Sequence, residues 1–139
     1  MECLFCNIAK KKISSDIVYE NDHVFAFLDI QPIAPGHTVV IPKFHAKTIL
    51  EIPDNELEPF FVAVKHITSL LEKTFSPEGF TIGINHKEAA GQAVEHFHLH
   101  IIPRWKNDGG GSIHNVVKNK PKETNKEILE KIQSSKSRK

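Results

Sequence analysis

The segment Glu95–Trp105, EHFHLHIIPRW, constrains this chain more than any other, because histidine stands at 96, 98 and 100 with Phe97, Leu99 and Ile101 in register beside it. Successive side chains on an extended strand point to opposite faces, so the alternation sends His96, His98 and His100 one way and the apolar set the other. A helix would scatter the same residues around its cylinder. The run therefore predicts a strand over 96–102 with an imidazole face, in a sheet that buries its opposite side.

Similar short runs recur at IVYE (17–20), VFAFLD (24–29), HTVVIP (37–42) and FTIGIN (80–85), separated by the turn signals ND, QPIAPG and HKEAAGQ. Between the third and fourth runs lies DNELEPFFVAVKHITSLLEKTF, where Phe60, Val64, Ile67 and Leu71 hold one helical face and Phe61 and Phe75 widen it. Two starts fit this helix: Asn55 with Glu58 as a capping box, or Glu58 as the cap with Pro59 in the first turn. Strands with short connections and one long helix predict an α+β domain, an antiparallel sheet with a single face covered. On the other face Phe27 and Asp29 share a side, as do Thr81, Gly83 and Asn85, and as do the three imidazoles. Polar groups gathered beside an aromatic are the makeup of a small-molecule site.

A chain of 139 residues, 40% apolar, fits one domain with a modest core. Net charge is +1, but residues 118–139 carry eight Lys/Arg against three Glu, net +5, leaving −4 for the rest. A solvated basic tail explains that asymmetry, so nucleic-acid binding is not expected. No apolar run reaches the ~18 residues of a membrane span, and the start lacks a signal-peptide pattern. A cytoplasmic protein is expected. Its two cysteines, Cys3 and Cys6, form a C-x-x-C in which a disulfide would constrain little. A thioredoxin-like role needs a βαβ setting that is missing, while zinc would need two further ligands.

For the histidine face, three readings compete. Histidines satisfied by local hydrogen bonds are the bland one. A single metal on all three is awkward, because His96 and His100 would lie about 13 Å apart along an extended strand. The third is phosphoryl chemistry: imidazole can attack phosphorus, and a neighbouring protonated imidazole can steady phosphate oxygens or donate to a leaving group. Gly91, just ahead of the strand, lets backbone N–H groups approach an anion.

These blocks carry a resemblance. HFHLHII is similar to the His-x-His-x-His-x-x signature of the histidine triad (HIT) family, and CLFCNI, FAFLDIQPIAPGHTVVIPKFH and INHKEAAGQAVEHFHLHIIPR resemble successive blocks of its Hint-like and bacterial Hit branch, covering residues 2 to about 105. The resemblance implies a HIT domain over 1–106, with one long helix and short helices on a five-stranded antiparallel sheet, pairing with a second copy into a ten-stranded sheet. It implies a purine nucleotide site in each protomer of a homodimer. His98 would attack the α-phosphorus to form a nucleotidyl-histidine that water hydrolyses, His100 would contact the phosphate and assist proton transfer, and His37 would hydrogen-bond the other nitrogen of His98. Asp29 would hold the ribose; Leu4, Phe5, Ile8, Phe27 and Ile30 would line the base pocket; Asn85, Gly91, Gln92 and Ala93 would cradle the phosphate. Relatives often carry Ser where Ala93 stands, so a hydroxyl near the leaving group is missing here.

Bacterial relatives with this C-x-x-C resemble zinc proteins, which implies Cys3, Cys6, His45 and His96 as ligands of a structural zinc with no open position. No organic cofactor is expected. The expected activity is hydrolysis of an adenosine or guanosine 5′-phosphoramidate or related phosphoanhydride. A dinucleoside polyphosphate hydrolase, and a nucleotide-binding or partner-binding module with incidental hydrolysis, are the alternatives. His23, His66, His86 and His114 match no site position and are expected at the surface. Residues 107–139 read as a Gly-rich linker and a basic tail whose KETNKEILEKIQSS could form a helix docked through Ile128, Leu129 and Ile132. Trp105, directly after the signature, is expected to influence leaving-group choice.

Overall fold

The computed structural model describes residues 3–136. In order they form helix α1 (Leu4–Ala9), strands β1 (Ile17–Glu20), β2 (Val24–Leu28) and β3 (Thr38–Pro42), helix α2 (Asp54–Phe75), strands β4 (Gly79–Gly83) and β5 (Leu99–Arg104), and helix α3 (Asn125–Lys136), with three short 3₁₀ turns between. The strands make one antiparallel sheet in the order β1-β2-β3-β5-β4, the α+β architecture expected. No helix among the described residues is long and apolar enough to cross a membrane.

Strand alternation sorts the core into two layers. Val24, Ala26, Val40, Leu99 and Ile101 face α2 and meet Phe60, Ala63, Val64, Ile67 and Leu71. Their opposite-parity neighbours Phe25, Phe27, Val39 and Ile41 pack against Phe5 and Ile8 of α1. The expectation that only one face is covered is thereby corrected: six residues of α1 cap part of the second face. Ladder pairing aligns Phe27, Val39, His100 and Gly83 in one row across that face, which puts the imidazole beside the aromatic.

Three local expectations also change. The strand predicted over 96–102 forms ladder only from Leu99, because the N–H of Phe97 donates to the carbonyl of Ala46 at 2.6 Å, outside the ladder. Both expected starts of the long helix fail. It begins at Asp54 behind Pro53, without a side-chain cap, and Pro59 lies inside it. Asp54 and Glu56 favour that start at the positive end of the helix, and the Asn55 carbonyl that Pro59 cannot serve belongs to an exposed residue. Phe61 and Phe75 flank the buried stripe and stay about 40% exposed instead of widening it.

Gly36 has φ +83°, and a Cβ there would come within 2.7 Å of a Phe75 ring carbon and 3.3 Å of Pro103. Gly36→Ala is therefore expected to destabilise the fold by about 2 kcal/mol, through left-handed backbone strain and the clash together. Urea denaturation checks this, and a change below about 0.5 kcal/mol would contradict it.

Residues through Asp108 form one compact unit and those from Gly109 onward a second. In the second, α3 is capped reciprocally: the N–H of Glu127 donates to Thr124 Oγ1, and the N–H of Thr124 donates to Glu127 Oε1. None of its described residues is buried, Leu129 and Ile132 included. Arg138 and Lys139 of the basic tail lie outside the described residues.

Candidate active site and metal centre

Two polar clusters meet at His96–His100. In the first, His98 is buried and its Nδ1 lies 2.8 Å from the carbonyl oxygen of His96. A carbonyl can only accept, so Nδ1 carries the proton and Nε2 keeps its lone pair. Phe5 stands edge-on to the His98 ring, with centroids 5.0 Å apart and planes at 89°, and the His100 ring is 5.3 Å away.

The partners of His100 fix the opposite state. The backbone N–H of Ile33 donates to His37 Nδ1 at 3.3 Å, so the proton of neutral His37 sits on Nε2. That Nε2–H donates to His100 Nδ1 at 2.9 Å, with Asp29 Oδ2 3.5 Å away. His100 must then hold its own proton on Nε2. Two adjacent imidazoles thus offer one Nε2 lone pair and one Nε2–H. His37 was expected to bond His98; it acts on His100 instead, because the His96 carbonyl already occupies Nδ1 of His98. The expected protonated neighbour is also revised, since burial and the adjacent His98 and His37 push His100 down to about 4, and burial lowers His37.

Acid tests that burial. An unfolded chain titrates its histidines near 6.5, so as pH falls it binds the proton that folded His100 resists down to about 4. Stability is full above about pH 6.5 and should fall toward pH 4 by on the order of 3 kcal/mol from His100, with His37 acting in the same direction. Denaturant curves between pH 7 and 4.5 measure it, and a flat profile would contradict it.

Asp29, His37 and His100 place ligand-type atoms within 4.8 Å of one another. They do not suit a metal, because His37 Nε2 carries the proton that Ile33 assigns to it. Asp29 Oδ1 accepts from the N–H of Gln31. Phe27 and Ile8 are buried in the α1 layer, whereas Leu4 is half exposed and Ile30 is 89% exposed. Asn85 and Gly91 are neighbours: a Cβ on Gly91, whose φ is +99°, would sit 3.6 Å from the Asn85 amide nitrogen. Ala93 is exposed in the same loop. Gln92, expected in the phosphate cradle, spends its side chain as a clasp, accepting from the N–H of Lys87 and donating to the carbonyls of Lys47 and Val94. Its backbone N–H is also spent, donating to the carbonyl of Lys87 at 3.1 Å, and the N–H of Gly91 donates to that of Glu88 at 2.9 Å, so the anion-receiving backbone expected at Gly91 and Gln92 is engaged within the loop itself. His23, His66 and His114 are exposed, and His86 is partly covered.

The second cluster joins Cys3, Cys6, His45 and His96, whose donor atoms all lie within 4.8 Å. His96 is fully buried and its Nε2–H donates to the carbonyl of Pro42 at 2.9 Å, which turns the Nδ1 lone pair toward the sulfurs. Nδ1 lies 3.3 Å from Cys3 Sγ, 3.5 Å from Cys6 Sγ and 3.2 Å from His45 Nδ1, and Cys6 Sγ lies 3.3 Å from His45 Nδ1. Tetrahedral zinc bonds imply donor separations of about 3.3 Å between nitrogens and about 3.5 Å between nitrogen and sulfur, so the donor set fits such an ion and closes its coordination. A carbonyl holding the far nitrogen of the histidine is the usual outer support of a ligand. Burial and the neighbouring Cys3 push the Cys6 thiol up to about 11, and burial holds His96 down to about 4.

Sequence reasoning missed the backbone partners: the carbonyls of Pro42 and His96 and the N–H of Ile33. Every residue has such groups, so no residue type marks them.

Residues 10–107 match the HIT domain. The chain is 45% identical over 112 residues to the Hit protein of Bacillus subtilis, covering 80% of this chain and 77% of that one. It is 39% identical over 106 residues to a protein of Candida albicans named adenosine 5′-monophosphoramidase, covering 73% and 70%. Among solved structures, a HIT family member from Bacillus subtilis superposes with a TM-score of 0.86 at 39% identity, covering 100% of this chain and 97% of that one. A histidine triad nucleotide-binding protein from Candida albicans gives 0.82 at 32%, covering 99% and 96%.

Proposed function

The chain belongs to the HIT domain family, and from that membership we propose that it is a purine nucleotide hydrolase cleaving nucleoside 5′-phosphoramidates at the α-phosphorus. The observation carrying this reading is the pair of opposed imidazole nitrogens, a lone pair on His98 Nε2 beside an N–H on His100 Nε2. His98 attacks phosphorus through Nε2; a P–N(His98) bond forms, the bond to the leaving amine breaks, and the amine nitrogen takes a proton. Positive charge developing on His98 is steadied by the His96 carbonyl at Nδ1. His100 donates to a phosphate oxygen, and the approaching anion raises its proton affinity so that it can serve the leaving group. Water then adds to phosphorus, the P–N(His98) bond breaks, and the mononucleotide leaves. Asn85 and the end of the loop at Ala93 receive the phosphate, Asp29 the ribose hydroxyls, and Phe5, Ile8, Phe27, Leu4 and Ile30 the purine.

The proposal includes one zinc held by Cys3, Cys6, His45 and His96. It would be structural, since four protein donors leave no place for substrate, and thiolates kept reduced suit a cytoplasmic protein. It also includes a homodimer joined through β4, an edge strand beside the His100 strand that leaves Ile82 44% exposed.

Turnover of adenosine 5′-phosphoramidate and diadenosine tetraphosphate, measured side by side, tests the substrate class. The phosphoramidate is expected to be preferred by about tenfold or more in kcat/KM. The reverse preference would make the chain a dinucleoside polyphosphate hydrolase.

A further inference from the structure

The two thiols do no work in the hydrolysis above, yet they sit where a change in them reaches the nucleophile. Cys3 and Cys6 are the chain's only cysteines, both are partly exposed, and neither is in a disulfide. The Cys6 N–H donates to Cys3 Sγ at 3.2 Å, so both sulfurs belong to one turn of chain. Between them in sequence stands Phe5, whose ring meets His98 at 5.0 Å and Phe27 at 5.5 Å. Across from them stand His45 and His96, on the chain after β3 and ahead of β5. The start of α1 is thus held to the catalytic segment at two kinds of contact, the four-donor cluster and the Phe5 ring.

We infer that Cys3 and Cys6 are a peroxide-sensitive thiol–disulfide site whose oxidation releases the zinc and withdraws Phe5 from His98. This rests on the Cys₂His₂ reading given above. One thiolate attacks a peroxide oxygen and the O–O bond breaks, leaving a sulfenic acid and, after protonation, water. The second thiolate attacks that sulfur and expels hydroxide, which a proton converts to a second water. Two thiolates lose two electrons, the peroxide gains them, and a disulfide forms. The sulfurs start within 4.8 Å of each other and close to a bond of about 2.05 Å. A disulfide sulfur is no longer an anionic donor, so two of four ligands vanish at once and the two histidines alone do not retain the ion. With the cluster gone, α1 keeps the small apolar layer of Phe5, Ile8 and Ala9, and the pocket wall at His98 loosens.

The test uses full-length protein carrying its zinc, treated with a small excess of hydrogen peroxide. A chromogenic zinc indicator, free-thiol titration, intact mass and phosphoramidate hydrolysis are followed together. The expected result is release of about one zinc per chain in step with loss of both thiols and of two hydrogens in mass, with turnover falling about tenfold and recovering after dithiothreitol and zinc. Zinc retained with both thiols reduced would overturn this inference and leave the metal reading standing. Protein that never holds zinc would overturn both. Zinc release without change in turnover would overturn the coupling through Phe5. Cys6→Ser cannot form the disulfide, so its remaining turnover should resist peroxide; an equal loss there would place the oxidation elsewhere and overturn the assignment.

Discussion

His98→Ala is expected to lower turnover of a nucleoside phosphoramidate by about 10⁴-fold or more while nucleotide binding stays within about tenfold of the native protein. The two effects separate for a physical reason. In the proposed reaction the His98 Nε2 lone pair forms a bond that exists only along the reaction path, whereas the proposed nucleotide affinity would come from Asp29, the loop at Asn85 and Gly91, and the apolar wall built by Phe5, Ile8 and Phe27. The ring is buried, so its removal leaves a small cavity next to Phe5. A modest fall in Tm is expected and serves as the check that the fold persists. Isothermal titration with a mononucleotide and single-turnover assays measure the two halves. Single-turnover release within tenfold of the native rate would remove His98 from the nucleophile's role.

Replacing both thiols, Cys3→Ser with Cys6→Ser, is expected to abolish zinc content and lower Tm by about 10 °C, which corresponds to roughly 3 kcal/mol for a chain of this size. The effect is large because the cluster couples distant parts of the chain: Cys3 lies 93 residues from His96 and Cys6 lies 39 from His45. His96 is wholly buried with its Nδ1 facing His45 Nδ1 at 3.2 Å. Turnover should fall far less than in His98→Ala, since His98 and His100 are not among the four donors. Metal analysis on protein purified without chelators or a metal-affinity tag, together with thermal denaturation, decides it. A metal-free native protein of unchanged Tm would contradict the zinc reading.

The strand parity of the histidines carried most of the site. Phe97, Leu99 and Ile101 go to the α2 layer and His96, His98 and His100 to the other face, although the ladder begins only at Leu99. Side-chain direction needs only an extended backbone, so the alternation survives where the hydrogen-bonded strand does not. The same parity was present in Phe25 and Phe27, but the cover over them was not legible. A helix as short as α1 has too little periodicity to announce which face it buries, and its buried residues are only Phe5 and Ile8. The start of α2 was missed because local capping patterns at Asn55 and Glu58 competed with the burial of Phe60 and its fellows, and burial of that long face outweighs a cap. The roles of His37 and Gln92 depended on backbone partners that only tertiary structure supplies.

The proposed reaction is a double displacement at phosphorus through His98, and its stereochemical course is the sharpest test of that path. A substrate made chiral at the α-phosphorus by sulfur substitution, hydrolysed in ¹⁸O-labelled water, reports the number of in-line displacements. Attack by His98 followed by attack of water inverts the centre twice, so net retention is expected. Net inversion would mean that water attacks the substrate directly and that no nucleotidyl-histidine lies on the path.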